Sequence, residues 1–337
     1  MSVPEASVVP PADDLAPLPS LRERYRRHAF GLEFWAGVGI LAFYVAVALS
    51  ALVEFQGTLA TLNENPAWIP GWIVIGPSWT YPFGILSGFG VNLIDAMWQA
   101  TPWDLSIVVA ILAIDGCLGT LLGAIAGFSE GRWPDTVITF VFDSVGSIPG
   151  VFLLIIVFLG ITALDPRAMS LGLFVFLFGL ILCPTIARTV RERVRTVAQL
   201  PFVESARASG VSRSGILARH LLPNSLGPVL VQLPADVAAI FFFLTVFPWF
   251  YSCGGPLSLT QSPPWLVPAL PPGWPLPSTS FPEWGFQLAI GACEGLTTPG
   301  LPIFWWMLVF PLLAIIGLGV GLGLLCDGID KWLRPGS

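Results

Sequence analysis

The chain has 337 residues, 55% of them hydrophobic and 11% charged, with a mean hydropathy of +0.79. A soluble globular domain carries about 25% charged residues, so a water-facing surface, intrinsic disorder and a disulfide-stapled mini-protein are all excluded. Fifteen basic residues oppose 21 acidic ones and Lys331 is the single lysine, a balance that argues against nucleic-acid binding. The composition is that of an integral membrane protein.

Residues 1–20 are acidic and Pro-rich and read as a tail, and the basic segment that follows carries the N-terminal region to residue 33. No cleavable signal peptide is expected, because an Arg cluster leads straight into a full-length span. A transmembrane helix needs about 20 apolar residues, and six stretches qualify: 34–54, 105–128, 136–160, 170–187, 225–250 and 303–326. Arg22, Arg24, Arg26 and Arg27 precede the first span, which assigns the N-terminus to the cytoplasm. Arg132, seven arginines between 188 and 224, Lys331 and Arg334 then fall on the same side, and Arg167 alone does not. Both termini are expected inside.

The stretches 55–102 and 251–302 hold no Lys or Arg and are expected outside. The first ends at an expected helix start near Pro102-Trp103. The second carries Pro263-Pro264-Trp265 and Pro271-Pro272-Gly273-Trp274, and such Pro runs fit stiff, non-helical cover. Interfacial packing and docking of an exterior partner both fit these segments. Three of five cysteines lie in spans, while Cys253 and Cys293 share the exterior segment, where a bridge between them is left open. Two histidines and no ligand spacing argue against a metal centre.

Asp115, Asp143 and Asp236 lie within spans, where each costs about 2.5–3.5 kcal/mol if it faces lipid. They either line a transport path or proton relay, or hold neighbouring helices in register. Gly119, Gly123 and Gly127, and the pairs Gly317-Gly321 and Gly319-Gly323, recur at helical spacing and mark close helix packing. Gly127-Phe128-Ser129-Glu130-Gly131 has the form of a nucleophile elbow but sits where a span leaves the membrane, and it reads as a tight turn. With its only lysine followed by Trp332, the chain has no Walker A loop.

The long loop after the fourth span is the informative one. Its pattern predicts an extension of that span, a short helix over 202–209, a turn at Gly210 and a second helix from Ser212, which Ser212 caps and Pro223 ends. Such a projecting element suits a groove in another protein. Glu204-Ser205-Ala206, Gly210 and then His220-Leu221-Leu222-Pro223-Asn224 resemble the EAA loop of ABC importer permeases, of the dipeptide/oligopeptide family. Trp133-Pro134-Asp135, Asp143, Ile148-Pro149, Pro184, Glu283-Trp284-Gly285 and Cys326-Asp327-Gly328 are similar to further motifs of that family, over residues 82–335.

The resemblance implies an all-α, six-helix, type I (MetI-like) importer permease fold in a prokaryotic inner or plasma membrane. It implies a core at 103–335, a first helix and exterior segment at 34–102, and a coupling helix within 201–224. Glu204, Ser205, Ala206, Arg207, Gly210, Arg213 and His220 would then meet a separate ATPase, flanked by Arg219. The implied partners are a second homologous permease, two ABC ATPase subunits and an exterior solute-binding protein. ATP and Mg would be bound by the ATPases, with no cofactor and no catalytic residue in this chain. The implied cargo is an oligopeptide or a related solute such as an oligosaccharide or nickel. Ser205 stands where the family has Ala, Gly84–Gly90 replaces a charged stretch, and Leu244 replaces an acid. Two rival readings are a proton-coupled secondary transporter built on the intramembrane Asp residues and a membrane scaffold for the ATPase.

Overall fold

The computed structural model describes residues 30–62, 76–86, 91–164, 171–252, 283–297 and 304–333. In chain order these form α1 (Leu32–Leu62), a short hairpin of β1 (Ile85–Leu86) and β2 (Val91–Asn92), α2 (Leu93–Phe128), α3 (Trp133–Gly146) and α4 (Gly150–Leu164). There follow α5 (Leu171–Ala198), α6 (Pro201–Ala208), α7 (Arg213–Ile216), α8 (Gly227–Ser252), α9 (Trp284–Thr297) and α10 (Trp305–Leu333). Five of these helices are long and apolar enough to cross a membrane, or six spans if α3 and α4 together count as one. The protein is an all-α, multi-pass membrane protein.

The third expected span, 136–160, is not a straight helix. α3 and α4 meet at 86° across Ser147, Ile148 and Pro149. Proline has no N–H to continue the ladder and drives the preceding residue out of the helical region, and flanking Gly146 and Gly150 add little resistance to a bend. The start of α2 also differs from expectation. The helix begins at Leu93, where the Asn92 side chain accepts from the Ile94 N–H at 3.3 Å, and Pro102 lies inside it. Within the exterior segment, α9 follows the Pro-rich runs, which lie outside the described residues.

Small residues set the seams. α2 and α5 run parallel, with Gly119 against Ile186, Gly123 against Ala187 and Gly127 against Arg191 and Val194. A Cβ on Gly127 would lie 2.6 Å from the Arg191 carbonyl oxygen, and one on Gly123 would collide with that of Ala187. α1 and α10 run antiparallel, with Gly37 against Gly321 and Leu325, and Gly328 against Phe34. Of the two stripes on α10, Gly317 and Gly321 face Tyr44 and Ile40 of α1, whereas nothing approaches Gly319. Phe30 stacks on Trp332 at 5.5 Å, and Lys331 pairs with Glu33 at 2.8 Å, so the start of α1 and the end of α10 lie together.

Two larger apolar clusters and a small third one of Phe142, Cys183 and Ala187 make up the packing among the described residues. One cluster centres on Ile111, Phe158, Phe174, Phe178, Phe241 and Trp284. A second joins Ala124, Val190, Val194, Val203, Ile216 and Leu221. The second cluster fastens the loop helices α6 and α7 to the ends of α2, α5 and α8.

Candidate coupling element and buried acids

α5 continues as one helix to Ala198, and its polar end carries Arg188, Arg191, Arg193 and Arg195. Leu200 is extended, Pro201 opens α6 at a position where its missing N–H costs nothing, and α6 ends in a Schellman motif. Gly210 N–H donates to Arg207 O at 3.1 Å and Val211 N–H to Ala206 O at 3.2 Å, with Gly210 at φ +79°. Ser212 Oγ then accepts from Gly215 N–H at 3.2 Å. α7 widens into a π turn over Leu217–Leu221, and Leu222 N–H reaches Leu217 O at 2.9 Å. Pro223 has no N–H to give to the carbonyl four residues back, which fits the local change of pitch.

The element has two sides. Val203, Ile216 and Leu221 are buried against α2, α5 and α8. Glu204, Ser205, Arg207, Gly210, Arg213 and Arg219 are exposed, and Ala206 and His220 are partly so. The Phe202 and His220 rings lie 6.5 Å apart, and Asn224 Nδ2 donates to His220 O at 2.7 Å. The residues singled out in the sequence are therefore exposed or partly exposed.

The three intramembrane acids do not form one set. Asp115 and Asp236 face each other across α2 and α8, near enough for their charges to interact, and both are buried. Gln232 Nε2 donates to Asp236 Oδ1 at 3.0 Å, whereas neither Asp115 oxygen accepts a hydrogen bond. Asp143 stands apart at 3.1 Å from Arg188 of α5, with both side chains half-exposed. Its cationic partner comes from a neighbouring helix.

Two further constellations escaped sequence reasoning. Asp135 accepts from Arg191 Nε at 2.7 Å and Arg195 Nη2 at 2.8 Å, with its side chain 8% exposed. An acid in the first turn of one helix and arginines four residues apart on another were the available signal. Asp104, buried in α2, accepts from Trp284 N–H at 3.2 Å, and Trp284 Nε1 donates to Met97 O at 3.1 Å. Glu283 caps α9 by accepting from Gly285 N–H at 2.6 Å and Phe286 N–H at 3.0 Å. Burial pushes the Glu283 carboxyl up to about 8, although both N–H groups pull it down.

The elbow-like sequence is a turn: Ser129 caps α2, and Gly131 takes φ +72°. Cys117, Cys183 and Cys326 are free. The Cys253–Cys293 question lies outside the described residues. Among the described residues no group of three His, Cys, Asp or Glu is placed to hold a metal.

The fold is that of a multi-pass helical membrane protein with a bent third span and a helix–turn–helix projection. Residues 119–265 match the family described as binding-protein-dependent transport system inner membrane component. The chain is 26% identical over 337 residues to the dipeptide transport system permease protein DppC of Alkalihalophilus pseudofirmus, covering 99% of this chain and 96% of that one. It is 27% identical over 326 residues to the glutathione transport system permease protein GsiD of Pectobacterium atrosepticum, covering 95% and 96%. A probable D,D-dipeptide transport system permease protein DdpC of Escherichia coli is 26% identical over 291 residues, covering 86% and 85%. Over nearly its whole length this chain is similar to permease subunits of dipeptide and glutathione transport systems.

Proposed function

We propose that this chain forms half of a translocation path for peptides and couples to a separate ATPase through Pro201–Asn224. The observation that carries the reading is the two-sided element: Val203, Ile216 and Leu221 clasp the bundle, while Glu204, Ser205, Ala206, Arg207, Gly210, Arg213 and His220 line the outward surface. A seated handle of this kind moves as a rigid body with the helices beneath it. The peptide cargo follows from relatives named for dipeptide, D,D-dipeptide and glutathione transport. The partners in this reading are a second permease, two ATPases that bind ATP and Mg, and an exterior binding protein. The fold is the six-span, type I (MetI-like) arrangement with its core at 103–335.

Both termini belong on the cytoplasmic side of an inner or plasma membrane. The Glu33–Lys331 ion pair between the start of α1 and the end of α10 supports a common side. Asp115 and Asp236 hold α2 and α8 in register in this reading, which their burial favours over a solvent-lined proton relay. Replacement of Glu204 or Gly210 by Arg tests the coupling role. Loss of ATPase co-purification and of peptide uptake is expected, and undiminished binding and uptake would refute it.

A further inference from the structure

Arg188, Arg191 and Arg195 of α5 all reach α3. Asp135 receives two of them, and the Gly131 N–H and Thr139 Oγ1 also donate to it at 3.2 and 3.3 Å. Near the other end of α3, Arg188 Nη2 donates to Phe142 O at 2.8 Å. Its guanidinium also fills the space beside Gly146, where a Cβ would collide with it. α3 is thus fastened to α5 from its first turn to its last. The ends are not equal: the Arg188–Asp143 pair is half-exposed, and such pairs are weak. Asp135 is buried, and separating it would leave two arginines facing a desolvated carboxylate.

Among the described residues the opposite face of α3 carries no such ties. Trp133, Val137, Phe140 and Val141 are exposed there. Beyond Gly146 the chain breaks at 86° into α4. α5 is a single helix up to Ala198, and α6 and α7 are clasped to its end. A displacement of α6 and α7 therefore displaces the arginines, and through Asp135 it displaces α3.

We propose that Asp135 is a positioning residue, gripped by Arg191 and Arg195, that makes α3 part of the body moved by the ATPase. Motion of the coupling element then reaches the break at Ser147–Pro149 and emerges as rotation of α3 relative to α4. The inference rests on the coupling reading above, and the test separates the two.

The experiment uses the complete importer in proteoliposomes, with the native cysteines replaced and nitroxides on Val141→Cys of α3 and Phe152→Cys of α4. The distance between the labels is measured with and without ATP and Mg, alongside co-purification of the ATPase. Nucleotide is expected to shift that distance when Asp135 is present. Asp135→Asn is expected to abolish the shift while the ATPase stays bound, and Asp135→Glu to restore it. An unaltered shift in Asp135→Asn, or no shift in the parent despite a bound ATPase, would overturn the proposal. If Asp135→Asn does not assemble, Arg195→Gln keeps the Arg191 grip and should reduce the shift, and an undiminished shift there overturns it equally. Absence of the ATPase from the parent complex would instead strike at the coupling reading.

Discussion

Gly210 and Gly123 are both glycines for reasons that differ and can be separated by alanine. At Gly210 nothing approaches the missing Cβ, and the constraint is the positive φ of +79° alone. Gly210→Ala should therefore cost about 1–2 kcal/mol, read as a lower melting temperature of the purified complex, with the ATPase contact weakened in proportion. At Gly123 the backbone is ordinary helix and the obstacle is the Ala187 carbonyl. Gly123→Ala forces α2 from α5 and should cost about 1–3 kcal/mol in the same measurement. Gly116→Ala, where nothing outside the helix's own backbone lies within 4 Å of the added carbon, should not lower the melting temperature and should raise it slightly, because alanine is the better helix former. The turn at Gly210 was legible because it is a local feature with its own chemistry. The Gly119–Gly123–Gly127 stripe announced close packing, but not the helix that fills it.

Among the elements, α5, α6 and α7 follow from sequence because their signals are contiguous. Pro201 at a helix start, a Schellman turn and the Ser212 cap act within a few residues of each other. α9 was hidden for the opposite reason. Its docking depends on Trp284 donating to Asp104 and Met97, contacts spanning 180 and 187 residues, and on a Glu283 cap within a Pro-rich surround. The Glu283 carboxyl is raised from 4.5 to about 8, so the protonated form is favoured in the folded state. Its contribution is full below pH 4.5, declines as pH rises, and is lost through pH 8. The detergent-solubilised complex should lose thermal stability across that window, and Glu283→Gln should flatten the decline. A profile of unchanged slope in the variant would show that another group carries it.

For the molecule as a whole, antiparallel α1 and α10 with their Glu33–Lys331 tie predict one common face for the first helix start, the last helix end and the coupling element. Single cysteines at Ser212 and Glu33 in a cysteine-free background should react with a membrane-impermeant maleimide in inverted vesicles and not in right-side-out ones. Labelling of the two positions from opposite sides would break the assignment. The bend between α3 and α4 is also a property of the whole. Gly146, Pro149 and Gly150 permit it, with Arg188 of α5 packed beside Gly146 and Ile181 near Gly150 at the start of α4.

The amino-acid sequence determined the membrane class, the approximate spans and the helix–turn–helix loop, since apolar runs, arginine placement and capping residues act locally along the chain. Tertiary structure decided which charges meet. Asp135 with Arg191 and Arg195, Asp115 with Asp236, and Asp104 with Trp284 are joined across helices distant in sequence. Removing a polar group from water demands a partner nearby in space, and a partner in space need have no fixed offset along the chain.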